Sequence, residues 1–208
     1  SCIIVFLWQQ SLDELTARVA IFQFGFIPAI VLQGESLPSE FSLLPGWATI
    51  ITSMFLHGGW LHLVGNMIYL WIFGDNVEDA MGSHRFIIFY FLCGTVAALT
   101  QGAINTSSTV PMVGASGGIA GVLGAYLILH PKAAVRCLIV IIVFFRFINL
   151  PAWIVLGGWI ALQFVSSPQA FQNDGDGVAY LAHIGGFVAG VVFIPLFRKR
   201  HISLFDKG

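Results

Sequence analysis

Apolar and polar positions alternate along this chain in long blocks rather than residue by residue. Unbroken apolar blocks of this length predict helices, because a half-buried strand would alternate strictly. The first block, 1–8, is too short to span a bilayer and is expected to be the outer end of a truncated first helix. Residues 9–46 are semi-polar, with Asp13, Glu14, Glu35 and Glu40 and a turn-rich Leu43-Leu44-Pro45-Gly46. Two apolar pieces within them, 19–26 and 27–32, predict a structured loop or interfacial helices rather than a plain linker. Residues 47–56 lead through His57-Gly58-Gly59-Trp60-Leu61-His62 into a second span at 63–73. A polar turn at 75–85, a third span at 86–103 and a Ser/Thr-rich loop at 101–113 follow. A fourth helix opens at Ser116 and ends at His130-Pro131-Lys132. Residues 132–148 are apolar but carry Arg136 and Arg146, which predicts an interfacial segment. A fifth span at 151–165, a Gly/Asp loop at 166–177 and a sixth span at 178–197 complete the pattern, closed by Arg198-Lys199-Arg200.

Composition turns these blocks into membrane spans. The chain is 57% hydrophobic and 9% charged, against about 25% charged in soluble domains. Long continuous apolar runs exclude an alternating barrel pattern. The expectation is an all-α membrane protein, a six-helix bundle forming a single domain over residues 1–208, with a structured outer loop between the first two spans. A net charge of −1 offers nothing to a nucleic acid, and Cys2, Cys93 and Cys137 are too scattered for a disulfide framework or a zinc site. Threading alternate loops to opposite sides puts Arg85, Lys132, Arg136, Arg146, Arg198, Lys199, Arg200 and Lys207 together and leaves only Arg18 opposite. The positive-inside rule then turns the Ser116 end of the fourth helix outward.

Depth singles out the candidate chemistry. From Ser116 to His130 is 14 residue steps, about 21 Å of helix in a hydrocarbon core about 30 Å thick. From His183 to Phe197 is again 14 steps, and from His62 to Asp75 it is 13. Polar side chains at a common depth are candidates for one site, because ionisable groups inside a membrane are costly. His183, Gly186 and Gly190 share one helical stripe, and Ser116, Ala120 and Gly124 another. Small residues on both would let the helices approach and bring a histidine beside a serine. That pairing is the nucleophile and general base of acyl transfer. His62 and Asn66, spaced i, i+4, could join the backbone N–H of Ser116 in holding an oxyanion. No Asp or Glu stands at this depth to orient His183, so the pair reads as a dyad.

Three motifs on separate helices carry a resemblance: His62-x-x-x-Asn66, Gly114-x-Ser116-Gly117 and Ala182-His183-Ile184-Gly185-Gly186. With Phe55-Leu56-His57, Phe73-Gly74, Glu78 and Gly82-x-x-Arg85 they make residues 47–208 resemble the rhomboid family of intramembrane serine proteases. The resemblance implies Ser116 as nucleophile, His183 as general base, and His62 and Asn66 as oxyanion-hole side chains. It implies single-pass transmembrane proteins as substrates, cut near small or helix-weakening residues, with no metal and no cofactor. It also implies lateral substrate access between the second and fifth helices. Trp47-Ala48 departs from the Trp-Arg of many bacterial members.

Plainer readings exist for each residue. Ser116 among glycines could be a packing residue, and His183 a hydrogen-bonded core histidine. His57 suits loop stabilisation better than catalysis. A metal site of His57, His62 and His183 lacks the His-Glu-x-x-His pattern. Asp174-Gly175-Asp176 reads as a solvated turn, Asn105-Thr106-Ser107 as a glycosylation sequon, and Glu78 and Asp79 as helix caps or partners for Arg85. Alternative functions are an inactive relative that retains client transmembrane helices, which usually lacks the Ser or His kept here, or a transporter. A prokaryotic plasma membrane, with the site opening to the extracytoplasmic side, is the expected location, with an organelle membrane second.

Overall fold

The computed structural model describes residues 1–38, 41–141, 144–170 and 179–205. Glu40, the Asp174-Gly175-Asp176 turn, the expected start of the sixth span at Val178 and the basic Lys207 lie outside the described residues. The elements run α1 (Cys2–Ser11), α2 (Glu14–Phe24), α3 (Pro28–Gln33), α4 (Gly46–Thr52), a 3₁₀ turn (Ser53–Phe55), α5 (Trp60–Met81), α6 (Ser83–Ile104), α7 (Ser116–Leu129), β1 (Ala134–Ile141), β2 (Phe144–Pro151), α8 (Ala152–Ala170) and α9 (Tyr180–Phe197).

The fourth predicted helix, α7, lies at the centre. Every residue from Gly117 to Tyr126 is buried, as expected of a helix that is apolar all round. Helices α5, α6, α8 and α9 surround it. Its closest neighbour is α9, and glycines set the approach. A Cβ at Gly186 or Gly190 would collide with the carbonyl oxygen of Gly117 or Gly121, and one at Gly124 with that of Phe187. The contacts 117–186 and 121–190 advance together, so the two helices run parallel. The expected stripe does meet α9, through Ala120 against Gly186 and Gly124 against Phe187, and the contact is wider than expected: Gly117 and Gly121 join it, their carbonyls facing the Cα atoms of Gly186 and Gly190.

Two expectations fail locally for identifiable reasons. The polar turn at 75–85 is helical through Met81, because Phe73, Val77, Ala80 and Met81 continue the buried stripe while Asp75, Asn76 and Asp79 point outward. The break falls at Gly82, whose φ of +87° suits a residue without a Cβ. Arg85 does not pair with Glu78 or Asp79: its Nη1 donates to the Phe197 carbonyl at 3.3 Å, and Lys199 Nζ donates to the Asp79 carbonyl at 2.9 Å. The fold is also not all-α. Ala134–Ile141 and Phe144–Pro151 pair as an antiparallel hairpin, registered from Ala134↔Pro151 to Ile141↔Phe144. Its β-branched and aromatic residues favour a pleated strand over a helix.

By length and composition, α6 and α9 are the helices among the described residues that reach spanning size, while Cys2–Ser11, Gly46–Phe55, Ser116–Leu129 and Ala152–Pro168 are apolar but shorter. The six-span count stays an expectation on these criteria.

Candidate active site

Helix α7 begins at Ser116 itself, after Ala115, so the Ser116 amide belongs to the first turn, where N–H groups have no intrahelical acceptor. The preceding segment is held on both sides. Gly114 N–H donates to the Ser53 carbonyl at 2.9 Å, and the Tyr90 hydroxyl donates to the Ala115 carbonyl at 3.3 Å. Gly114 has φ +134°, a conformation that disfavours a side chain. A Cβ there would also stand 2.9 Å from His62 Nε2 and 3.6 Å from Ser116 Oγ. Those two polar atoms thus face one small space, and the missing side chain at Gly114 keeps it open.

His62 and Asn66 lie one turn apart on α5, where the next helix wall is α7. The Gly58 N–H approaches His62 Nδ1 at 3.4 Å. Nδ1 can accept there only as a lone pair, so the proton sits on Nε2, the nitrogen that faces the space beside Ser116. Asn66 is 8% exposed, and its Nδ2 is buried with no hydrogen-bond acceptor. Buried amide N–H groups are nearly always paired, so this one is an exception among the buried side chains.

His183 stands one turn before Gly186 on α9, as Ser116 stands one residue before Gly117 on α7, so the glycine seam puts both at the same end of adjoining helices. The start of α9 is fixed by α6. Gln101 Oε1 accepts from the Ala182 N–H at 3.2 Å, and Thr100 packs directly on Gly185. The imidazole is held from α8. Its Nδ1 lies 2.8 Å from Gln163 Oε1, and the Trp159 ring lies against it at 5.7 Å between centroids. Gln163 Nε2 donates to the Trp159 carbonyl at 3.4 Å, which turns its oxygen toward His183. An amide oxygen only accepts, so Nδ1 carries the proton and Nε2 keeps a free lone pair.

His57 has a structural setting, in line with its sequence reading. It is 2% exposed, and Gln9 clamps its backbone from both sides: His57 N–H donates to Gln9 Oε1 at 3.1 Å and Gln9 Nε2 donates to the His57 carbonyl at 3.3 Å. The ring's Nδ1 meets the Phe55 carbonyl at 3.2 Å. Burial, with a smaller contribution from neighbouring His62, pushes the His57 imidazole from 6.5 down to about 4, so it is neutral near pH 7. It ties α1 to the loop beneath which His62 sits.

The structure thus brings His62 and Ser116 to one space at Gly114, keeps Asn66 one turn from His62 on α5, and sets His183 at the same end of α9. Gln163 and Trp159 were missed by sequence reasoning. The available signal was an uncharged polar side chain in the middle of an apolar run, which inside a membrane merits a functional reading by default. A hydroxyl on a helix start, an imidazole with its lone pair free and unspent donors close by are the parts needed for acyl transfer.

Residues 45–200 match the rhomboid domain family. The chain is 37% identical over 170 residues to rhomboid-related protein 1 of Caenorhabditis elegans, covering 78% of this chain and 44% of that protein. It is 30% identical over 196 residues to the mitochondrial rhomboid protein 1 of Saccharomyces cerevisiae, covering 86% and 50%. Against the rhomboid protease GluP of Bacillus subtilis it is 40% identical over 81 residues, covering 39% and 15%. The chain spans about half the length of the first of these curated relatives. Mitochondrial and animal relatives weigh against reserving it for a prokaryotic membrane.

Proposed function

The chain belongs to the rhomboid family of integral membrane proteins, and on that premise we propose that it is an intramembrane serine endopeptidase acting through Ser116 and His183. Helices α1, α5, α6, α7, α8 and α9 would be its six spans, and its substrates single-pass membrane proteins cut near the outer leaflet. His183 Nε2 takes the Ser116 proton as Oγ attacks the scissile carbonyl carbon. The oxyanion accepts hydrogen bonds from His62 Nε2–H, Asn66 Nδ2–H and the Ser116 backbone N–H. His183 then protonates the leaving amine, and water, activated by the same imidazole, releases the acyl group from Oγ.

The observation that carries this reading is the buried, acceptorless Nδ2 of Asn66 beside a histidine whose Nε2 shares the Gly114 space with Ser116 Oγ. A transporter needs a polar path, and a client-binding relative needs neither the idle donor nor an oriented imidazole. The scissile amide must leave its helix before attack, since a helical amide is shielded by its own hydrogen bonds. Small or helix-weakening residues around the cut follow from that requirement.

The test is cleavage of a single-pass substrate by the purified chain in detergent, beside Ser116→Ala and His183→Ala. Loss of cleavage in both variants, with unchanged thermal stability, is expected. Full activity in Ser116→Ala overturns the reading.

A further inference from the structure

The β1–β2 hairpin has a surface that neither the helix bundle nor the proposed chemistry uses. Its base is fastened: Ala152 N–H donates to the Ala133 carbonyl and Trp153 N–H to the Pro131 carbonyl, each at 2.9 Å, and Val135 packs on the core. Away from the base, apolar side chains are exposed on both faces. Leu138 and Phe147 are cross-strand partners on one face, with Phe145 two residues on, while Ile139 and Phe144 belong to the other. Phe144 is 76% exposed, Phe145 70% and Phe147 57%.

Two physical constraints leave one environment for such an element. A two-stranded hairpin is marginal in water, and this one has no polar face to solvate. Among the described residues its strands pair with each other and with no other strand, so their outer edges present bare N–H and C=O groups that the hydrocarbon core would not satisfy. The headgroup–acyl boundary accepts both. Charge selects the lipid. Lys132, Arg136 and Arg146 lie on or beside the hairpin, and the sequence has no Asp or Glu between Asp79 and Asp174. The Arg136 guanidinium lies 4.5 Å over the Phe147 ring, which holds a cation at the height of the aromatic side chains. The hairpin also leaves the bundle at the same end as the basic Arg198-Lys199-Arg200 turn, where Phe205 N–H donates to the Ile128 carbonyl of α7 at 2.7 Å.

We infer that this hairpin is a lipid-surface anchor, its phenylalanines seated in the headgroup–acyl boundary and Lys132, Arg136 and Arg146 engaging anionic headgroups. The anchor rests on the family's membrane setting and is independent of whether Ser116 is a nucleophile.

The test uses the full chain in two measurements. In the first, a nitroxide is attached to Phe145→Cys in a background carrying Cys2→Ser, Cys93→Ala and Cys137→Ser. Its collision rates with oxygen and with a water-soluble nickel chelate are read in vesicles of phosphatidylcholine alone or mixed with phosphatidylglycerol. Shielding from the chelate and access to oxygen in the mixed vesicles is the expected result. A label fully open to the chelate in both overturns the anchor, and so does shielding that appears only with cross-linked copies of the chain or another protein. In the second measurement, which needs no cysteine removed, phosphatidylglycerol that co-purifies with the protein is compared with phosphatidylcholine. A basic residue at an anionic surface is worth about fivefold in affinity, so the double variant Arg136→Gln, Arg146→Gln is expected to lose at least about fivefold of the enrichment. Unchanged enrichment overturns the role of the arginines. Cleavage activity is not the readout, so a failed anchor and a failed protease reading are told apart.

Discussion

His183 on α9 and Gln163 on α8 meet through Nδ1 and Oε1 at 2.8 Å. In a serine–histidine–aspartate site a carboxylate selects the imidazole tautomer; here an uncharged amide oxygen accepts the same proton, with no charged group buried to do it. The indole of Trp159, one turn earlier on α8, covers the ring. The His183 imidazole is therefore oriented without an acidic partner.

That relationship has a kinetic consequence. Gln163→Leu keeps the bulk and removes the acceptor, so His183 loses its tautomer preference. Misplacing a reacting group can cost up to about a hundredfold, expected here in kcat with KM little changed. Gln163→Glu keeps an acceptor and should retain more activity than the leucine variant. Its added negative charge favours the imidazolium, so the acid limb of its pH–rate profile should move to higher pH. Equal activity in the leucine variant and the unmodified chain would remove Gln163 from the site.

Asn66 offers a different split. Its Nδ2 has no partner at rest, so replacing it should leave thermal stability almost unchanged, or raise it by removing an unsatisfied group. In turnover the same donor is expected to matter by about 10²- to 10³-fold in kcat for Asn66→Ala. Comparison of melting temperature and kcat in one preparation checks it. A variant that melts early and turns over normally would contradict the oxyanion role.

The glycine seam predicts a contrast between two alanine substitutions. Gly190→Ala would drive a methyl into the Gly121 carbonyl and force α7 and α9 apart, at a cost of about 1–3 kcal/mol. Gly157→Ala on α8 meets nothing within 4 Å. It should be neutral, or stabilising by up to about 1 kcal/mol through helix propensity. Thermal unfolding in one detergent distinguishes the two, and because the seam sets the separation of Ser116 from His183, only the first should also lower kcat.

His57 supplies a pH dependence. Its imidazole is held down to about 4, against 6.5 when unburied. The folded chain therefore binds fewer protons than the unfolded chain between those values, and stability falls as pH drops through that window. The contribution is complete above 6.5 and is lost toward 4. The melting temperature should decline over this range, and the decline should be shallower in His57→Asn. An identical slope in both would mean that other groups carry it.

Local pattern determined much of this protein. Apolar blocks gave the helices, and the motifs around His62, Ser116 and His183 marked the candidate site and its family, because helix formation and motif spacing are properties of short stretches. The hairpin at 134–151 escaped notice because a short apolar run rich in β-branched and aromatic residues reads equally as strand or buried helix until a partner strand is found. The polar turn expected at 75–85 dissolved into α5 because the buried stripe outweighed the acidic residues beside it. Only tertiary structure decided which faces meet. The seam kept Ala120 and Gly124 and gained Gly117 and Gly121, because the separation of two backbones depends on both helices at once. Gln163 gained its role the same way: its partner is 20 residues away on another helix, and a hydrogen bond between helices is fixed by their packing rather than by the order of residues along either one.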